Sequence, residues 1–201
     1  SVAQNLHGKL TGNADDDVPA VRSALRAAVD ALSERTETAA LRKTILSLSI
    51  DGDIVLDMHG AGEAEFHLYA NIRHRREVED LGADLAAPVL LLEEEAGGGA
   101  FDECNSVVWW RLADEMDGAD HLPAACFGTT LEFRGRNDVT DAYADHDAAA
   151  IYRFLQRRGV IAGDPGALPP LIRDASRLDA VAVLVAPAGL VGYQQEVGTD
   201  G

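Results

Sequence analysis

Apolar residues fall into two patterns along this chain, a helical spacing on longer segments and short unbroken runs between them. Residues 1–16 are polar and irregular, broken by Gly8 and Gly12 and closed by Asp15, Asp16 and Asp17. Asp17 before Val18-Pro19 reads as a helix start, a carboxylate cap followed by proline in the first turn. From there Val18, Val21, Leu25, Ala28, Val29 and Leu32 keep a 3.6-residue rhythm to about Ser33. A second helix is predicted over Thr38–Leu48, with Leu41, Ile45 and Leu48 on one side. Strands are then predicted at Ile54–Leu56 and Glu65–Tyr69, a helix at Arg75–Leu85, and a strand at Pro88–Leu92. The run Val89-Leu-Leu-Leu92 has no polar alternation, as expected of a strand covered on both faces.

After the acidic, glycine-rich stretch Glu93–Gly99, a helix is predicted over Ser106–Met116, with one ring of Trp109-Trp110 inward and the other partly out. An interior strand follows at Ala124–Phe133. Asp141–Arg158 is a helix in which Ala144, Ala148, Ile151 and Leu155 align, arginines fill the last turn and Gly159 ends it. Helices alternating with buried strands imply an α/β fold, a three-layer sandwich around a mostly parallel mixed sheet, over residues 1–162. Residues 163–170 have linker composition. Val181–Val185 and Leu190–Tyr193 around Ala-Pro-Ala-Gly read as a hairpin, so 171–201 is expected to begin a separate small β unit.

Composition narrows the function. The net charge is −17, with 34 acidic against 17 basic residues, which disfavours a nucleic-acid partner because that needs a basic face. The apolar runs are far shorter than the ~20 residues of a membrane span, and no signal peptide opens the sequence. Two cysteines, Cys104 and Cys126, form no CxxC pair and point to a reducing, cytoplasmic setting, with Cys126 as a small core residue. Self-association into a homo-oligomer is compatible with all of this.

Candidate chemistry concentrates at Asp57-Met-His59, where an apolar run ends in a carboxylate and an imidazole two residues apart, on one side of an extended chain. His59 in that position is a metal ligand, a general base, or a loop residue that only hydrogen-bonds. Asp57 would either set the ring's orientation or cap a turn. His67 lies among Phe66, Leu68 and Tyr69 and is either a satisfied core histidine or part of a site; Glu63 and Glu65 default to solvated carboxylates. Glu132, in Leu131-Glu-Phe-Arg134, places a carboxylate in an apolar strand. Its ordinary reading is an ion pair with Arg134 or another arginine. Its functional reading is a general base with burial raising its proton affinity. His74, His121 and His146 read as surface residues, and the glycines at 97–99 lack a phosphate-loop pattern.

Taken in order, Asp57-Met-His59, Glu63…His67-Leu-Tyr69, Phe101-Asp-Glu103, Trp109-Trp-Arg-Leu112, Leu131-Glu-Phe-Arg-Gly135, Asp147…Ile151, Arg158-Gly-Val-Ile-Ala-Gly163 and Leu168-Pro-Pro-Leu171 resemble the succinylglutamate desuccinylase/aspartoacylase family. The resemblance implies a zinc-carboxypeptidase-like fold and a zinc-dependent deacylase acting on a small N-acyl amino acid or related amide. It implies that His59 matches the later zinc-binding histidine. Glu132 matches the glutamate that promotes attack of zinc-bound water, while Asp57, Glu63, His67 and Arg134 brace the site or hold substrate. The chain also departs from the family pattern. No His-x-x-Glu precedes His59, Gly12-Asn13 is at best a remnant of the substrate-binding Asn-Arg segment, and Gly60 stands where relatives often carry cysteine or threonine. The expectation is therefore a fragment whose other part carries two zinc ligands, with a degenerate paralogue as the second explanation. On its own the chain should bind zinc weakly and hydrolyse nothing. The rival functions are a non-catalytic binding or scaffold protein on the same fold and a zinc carboxypeptidase acting on peptides.

Overall fold

The computed structural model describes residues 2–94 and 99–171 in full and the backbone of residues 183–185. The described residues fall into two compact units, one within 1–55 and 99–128 and the other within 56–98 and 129–201. The chain passes from one to the other inside two strands, after Val55 and after Gly128.

The first unit is helical: α1 (Val2–Leu6), α2 (Ala14–Asp30), α3 (Glu37–Ser49) and α5 (Phe101–Glu115). Helix α2 starts earlier than its proline suggests. Asn13 is the cap, its side chain accepting from Asp15 N, and Pro19 lies inside the helix. Asp17 is not a cap. Its buried carboxylate gathers Thr11 N and Oγ1, Gly12 N and His121 Nε2 at 2.8–3.1 Å. His121, expected at the surface, is thereby tied into this unit. Leu6, Val21, Leu25, Val29, Ile50, Trp109, Leu112 and Cys126 form the core. Trp110 is buried as well, so neither ring of the expected inward-and-outward pair lies partly out.

The second unit contains most of a mixed sheet of order β1-β4-β2-β3-β5, namely β1 (Ile54–Ala61), β2 (His67–Asn71), β3 (Val89–Glu93), β4 (Phe127–Gly135) and β5 (Val183–Val185). β2 runs parallel to β3 and β3 to β5, whereas β4 is antiparallel to β2. The strand expected near 181–185 is present at Val183–Val185 as the neighbour of β3 in this same sheet; the rest of the expected C-terminal β unit lies outside the described residues. Helices α4 (Arg75–Leu85) and α6 (Asp141–Arg157) pack against each other, and α4 lies on β2 and β3. Leu68, Leu90 and Leu131 of the sheet and Val78, Leu81, Leu85 and Phe154 of the helices are all excluded from solvent. At Gly82 a Cβ would sit 2.8 Å from Leu90 Cδ2, so a larger residue there would require the Leu90 side chain to shift. Arg157 and Arg153 of α6 clasp the buried Asp84 of α4, with Arg158 on Asp80 beside them. His74 closes a short 3-10 turn after β2 and is buried, not a surface residue as its neighbours in sequence suggest. Among the described residues no helix is long and apolar enough to cross a membrane.

Candidate active-site face

Strand alternation decides which side chains meet. Met58 and Phe133 share an apolar groove with Ala144, Ala148, Ile151, Tyr152 and Leu155 of α6. Successive residues of a strand point to opposite faces. Asp57, His59 and Glu132 are therefore turned to the face away from α6. His67 stands directly across from Glu132 in the β2–β4 ladder, and Tyr69 across from Thr130. Cross-strand partners share a face, with Cβ atoms about 4.5–5.5 Å apart. With β4 between β1 and β2, this side of the sheet carries His59, Glu132 and His67 on three adjacent strands. The α6 side carries Phe66 and Phe133, whose rings stack at 5.2 Å.

His59 Nε2 lies 2.8 Å from Asp57 Oδ1. A carboxylate only accepts, so Nε2 carries the proton and the carboxylate orients the ring. His67 Nδ1 lies 2.8 Å from the Glu65 carbonyl oxygen, which makes Nδ1 the donor, and its ring edge meets Tyr69 at 5.2 Å. Glu132 is 7% exposed, and among the described residues its carboxylate has neither a hydrogen bond nor an ion pair. The pairing with Arg134 offered as its ordinary reading is not made. Arg134 has a left-handed backbone, φ +56°, which breaks the alternation. Its guanidinium goes instead to Asp147 of α6, at 2.6 and 3.1 Å, between the rings of Phe66 and Tyr143. Asp147 raises the already high pKa of Arg134. For Asp147 itself burial pushes upward, but hydrogen bonds from Arg134 and His146 outweigh it and hold the carboxyl below its ordinary value.

Glu63 is exposed in the turn between β1 and β2. Its backbone is held at the end of β4, where Arg136 N donates to Gly62 O and a Cβ on Gly135 would come within 3.4 Å of Glu63 Cα. Sequence reasoning missed Thr130 as a member of the polar face and Asp147 as the partner of Arg134. Alternation along β4 was the available signal for the first; nothing local signals the second.

A catalytic zinc takes three protein ligands and a water. Among the described residues no three His, Cys, Asp or Glu side chains are grouped to hold a metal. His59 with its carboxylate partner is one imidazole donor, so these residues alone do not constitute a zinc site.

The α/β fold has counterparts among solved structures. A succinylglutamate desuccinylase/aspartoacylase family protein from Shewanella amazonensis SB2B superposes with a TM-score of 0.72 at 27% identity, over 86% of this chain and 47% of that one. A protein assigned as a succinylglutamate desuccinylase/aspartoacylase from Shewanella frigidimarina NCIMB 400 gives 0.69 at 24% identity, over 85% and 45%. The chain is thus similar to this family in fold, as its motifs imply, and spans less than half the length of these relatives. No protein-family model and no curated protein matches it.

Proposed function

We propose that the whole protein is an amide hydrolase of the deacylase type, acting on an N-acyl amino acid or a related small amide. The polar sheet face would be part of its active site. The observation that carries this reading is Glu132: a carboxylate on a largely buried strand residue, its oxygens not among the fully enclosed unpartnered atoms, on the same side of the sheet as His59. A carboxylate shielded by its strand yet still reached by water is placed to exchange a proton with that water. The family names of the structural relatives support the reaction class.

In this reading Glu132 takes a proton from the attacking water and returns it to the departing amine. Asp57 holds the His59 ring in one tautomer and orientation. His67 borders the carboxylate from β2, and Glu63 lies at the rim. Arg134 is assigned no contact with substrate, because Asp147 occupies its guanidinium. His59 is proposed as one donor to a zinc ion whose remaining ligands come from outside the described residues. The proton transfers themselves need only the chain's own groups.

The test is to assay the complete gene product on N-succinyl and N-acetyl amino acids and on short peptides, with its zinc content measured. The expected result is release of free α-amine from the N-acyl substrates, about one zinc per protein, and loss of turnover in a folded Glu132→Gln variant. Cleavage of peptides alone would establish the carboxypeptidase reading. A zinc-free protein in which Glu132→Ala changes nothing would establish the scaffold reading.

A further inference from the structure

His67 and Glu132 are partners across the β2–β4 ladder, and both side chains stand on the polar face of the sheet. His67 Nδ1 donates to the Glu65 carbonyl oxygen at 2.8 Å, which pins the ring to its own strand, and the edge of Tyr69 flanks it at 5.2 Å. In the neutral imidazole Nε2 is then a lone-pair acceptor. The ionised Glu132 carboxylate also only accepts. The two side chains make no hydrogen bond or ion pair with each other. Neither His67 Nε2 nor the Glu132 oxygens are among the fully enclosed atoms left without a partner, so water reaches both. Two neighbouring acceptors are satisfied together by one atom that carries two hydrogens. Acceptors sharing such an oxygen or nitrogen at ~2.9 Å each stand ~4.5–5 Å apart. That matches the Cβ spacing of about 4.5–5.5 Å between cross-strand partners, here with side chains of similar length.

We propose that His67 is a further catalytic residue: with Glu132 it forms a two-acceptor cradle that holds first the attacking water and then the departing amine, and so selects amides of primary amines. This role rests on the hydrolase reading above. The hydrogen count is the same at both ends of the reaction. Water enters with two hydrogens, one on each acceptor. Its oxygen bonds the amide carbon, and Glu132 takes the hydrogen it faces. The C–N bond breaks, and the nitrogen, which brought one hydrogen of its own, receives the one that Glu132 holds. The products are a carboxylic acid and a primary amine, whose two hydrogens again face Glu132 and His67. An N-methylated amide yields an amine with a single hydrogen. One acceptor is then left against a methyl group, which a site built on hydrogen bonds rejects.

The experiment has two arms. In the first, the 201-residue chain carries nitrogen-labelled histidine and is observed by NMR at alkaline pH. His67 should be protonated on Nδ1 and bare on Nε2. Glu132→Gln should move its Nε2 resonance and leave those of His121 and His146 in place. A proton on Nε2, or a resonance indifferent to Glu132→Gln, overturns the proposal whether or not the whole protein is an enzyme. In the second arm the complete gene product is assayed on N-acyl alanine and on N-acyl-N-methylalanine. The wild type should favour the first at least about hundredfold in kcat/KM. His67→Leu, which has no acceptor, should lower kcat at least about tenfold with KM within about threefold. His67→Gln keeps an acceptor at the same reach and should recover most of the rate and the preference. Equal losses in the two variants, or none in either, overturn the proposal. If His67→Leu does not fold, the preference of His67→Gln and the first arm decide. A complete product inactive on every amide sinks the hydrolase reading and the catalytic role with it, while a responding resonance still establishes the paired acceptors.

Discussion

Arg134 and Asp147 join the end of β4 to α6 through two hydrogen bonds of 2.6 and 3.1 Å, and the same guanidinium lies 4.2 Å from the centre of the Tyr143 ring. Both side chains are mostly shielded from water. The planar fork and the stacking are properties of arginine, not of positive charge in general. Arg134→Ala should lower stability by about 2–3 kcal/mol, and Arg134→Lys should lose at least about 1 kcal/mol of that despite keeping the charge. Urea unfolding monitored by circular dichroism measures both. A lysine variant as stable as the parent would mean that the fork geometry is immaterial.

Asp84 is the second buried carboxylate bound by arginine. Arg157 reaches it at 3.1 and 3.2 Å and Arg153 at 3.6 Å, and Asp84 is fully enclosed at the α4–α6 contact. Removing it takes the shared acceptor from Arg157, which is mostly shielded, and from Arg153, which is more exposed, and leaves a void at the contact. Asp84→Ala should cost about 3–5 kcal/mol, and Asp84→Asn, which keeps one acceptor, visibly less. The ordering of the two variants in thermal denaturation is the decisive readout.

In the first unit, burial pushes the Asp17 carboxyl upward, but hydrogen bonds from Thr11, His121 and Gly12 outweigh it and leave it below its usual value. A carboxyl whose folded pKa lies below its unfolded value stabilises the protein above the unfolded value, near 3.9, and stops doing so as pH falls through the folded one. The stability gap between wild type and Asp17→Asn should thus be full at pH 6 and shrink below about pH 4. A gap that widens on acidification would contradict the assignment.

The two thiols should behave differently. Burial pushes Cys126 up to about 12, and Cys104, although raised by burial and by the nearby Asp102 and Glu103, is exposed. Alkylation needs the thiolate and access. Iodoacetamide at pH 8.5 should label Cys104 alone in the native protein and both residues in denaturant, as read by peptide mass mapping. Native labelling of Cys126 would refute its placement in the core.

Gly128 leaves no room for a side chain: a Cβ would stand 2.5 Å from the Asp102 carbonyl oxygen and 3.0 Å from Ser106 Oγ. Because the nearest obstacle is backbone, Gly128→Ala should cost about 1–3 kcal/mol. Denaturant melts of this variant give the value directly, and an unperturbed midpoint would show that α5 yields.

Periodicity made most elements legible, and Arg75–Leu85 agrees to the residue with α4. Where it fell short, polar residues concealed a regular backbone. Helix α5 starts at Phe101, five residues before Ser106, because Asp102, Asn105 and Ser106 are buried. Asn105 and Ser106 return their side-chain hydrogens to the carbonyls of Phe101 and Asp102, which hides the helix from a hydrophobic reading. β1 likewise runs on to Ala61 through Asp57 and His59, past the expected end at Leu56. At the candidate site, the pairing of Asp57 with His59 follows from their two-residue spacing, since both lie on one side of an extended chain. The position of His67 across from Glu132 does not, because register between β2 and β4 is set by distant packing. Nor does any local signal announce that Arg134 adopts a left-handed conformation and leaves the face of its neighbour.

The two-residue repeat of β4 also limits how its length could change. Inserting or deleting one residue between Thr129 and Glu132 would send the carboxylate beneath α6 and a core leucine into its place, whereas a change of two would keep both orientations. Odd-numbered indels in this stretch should therefore be purged far more strictly than even-numbered ones, a parity that sequencing of natural or laboratory-made variants would reveal as a gap-length bias.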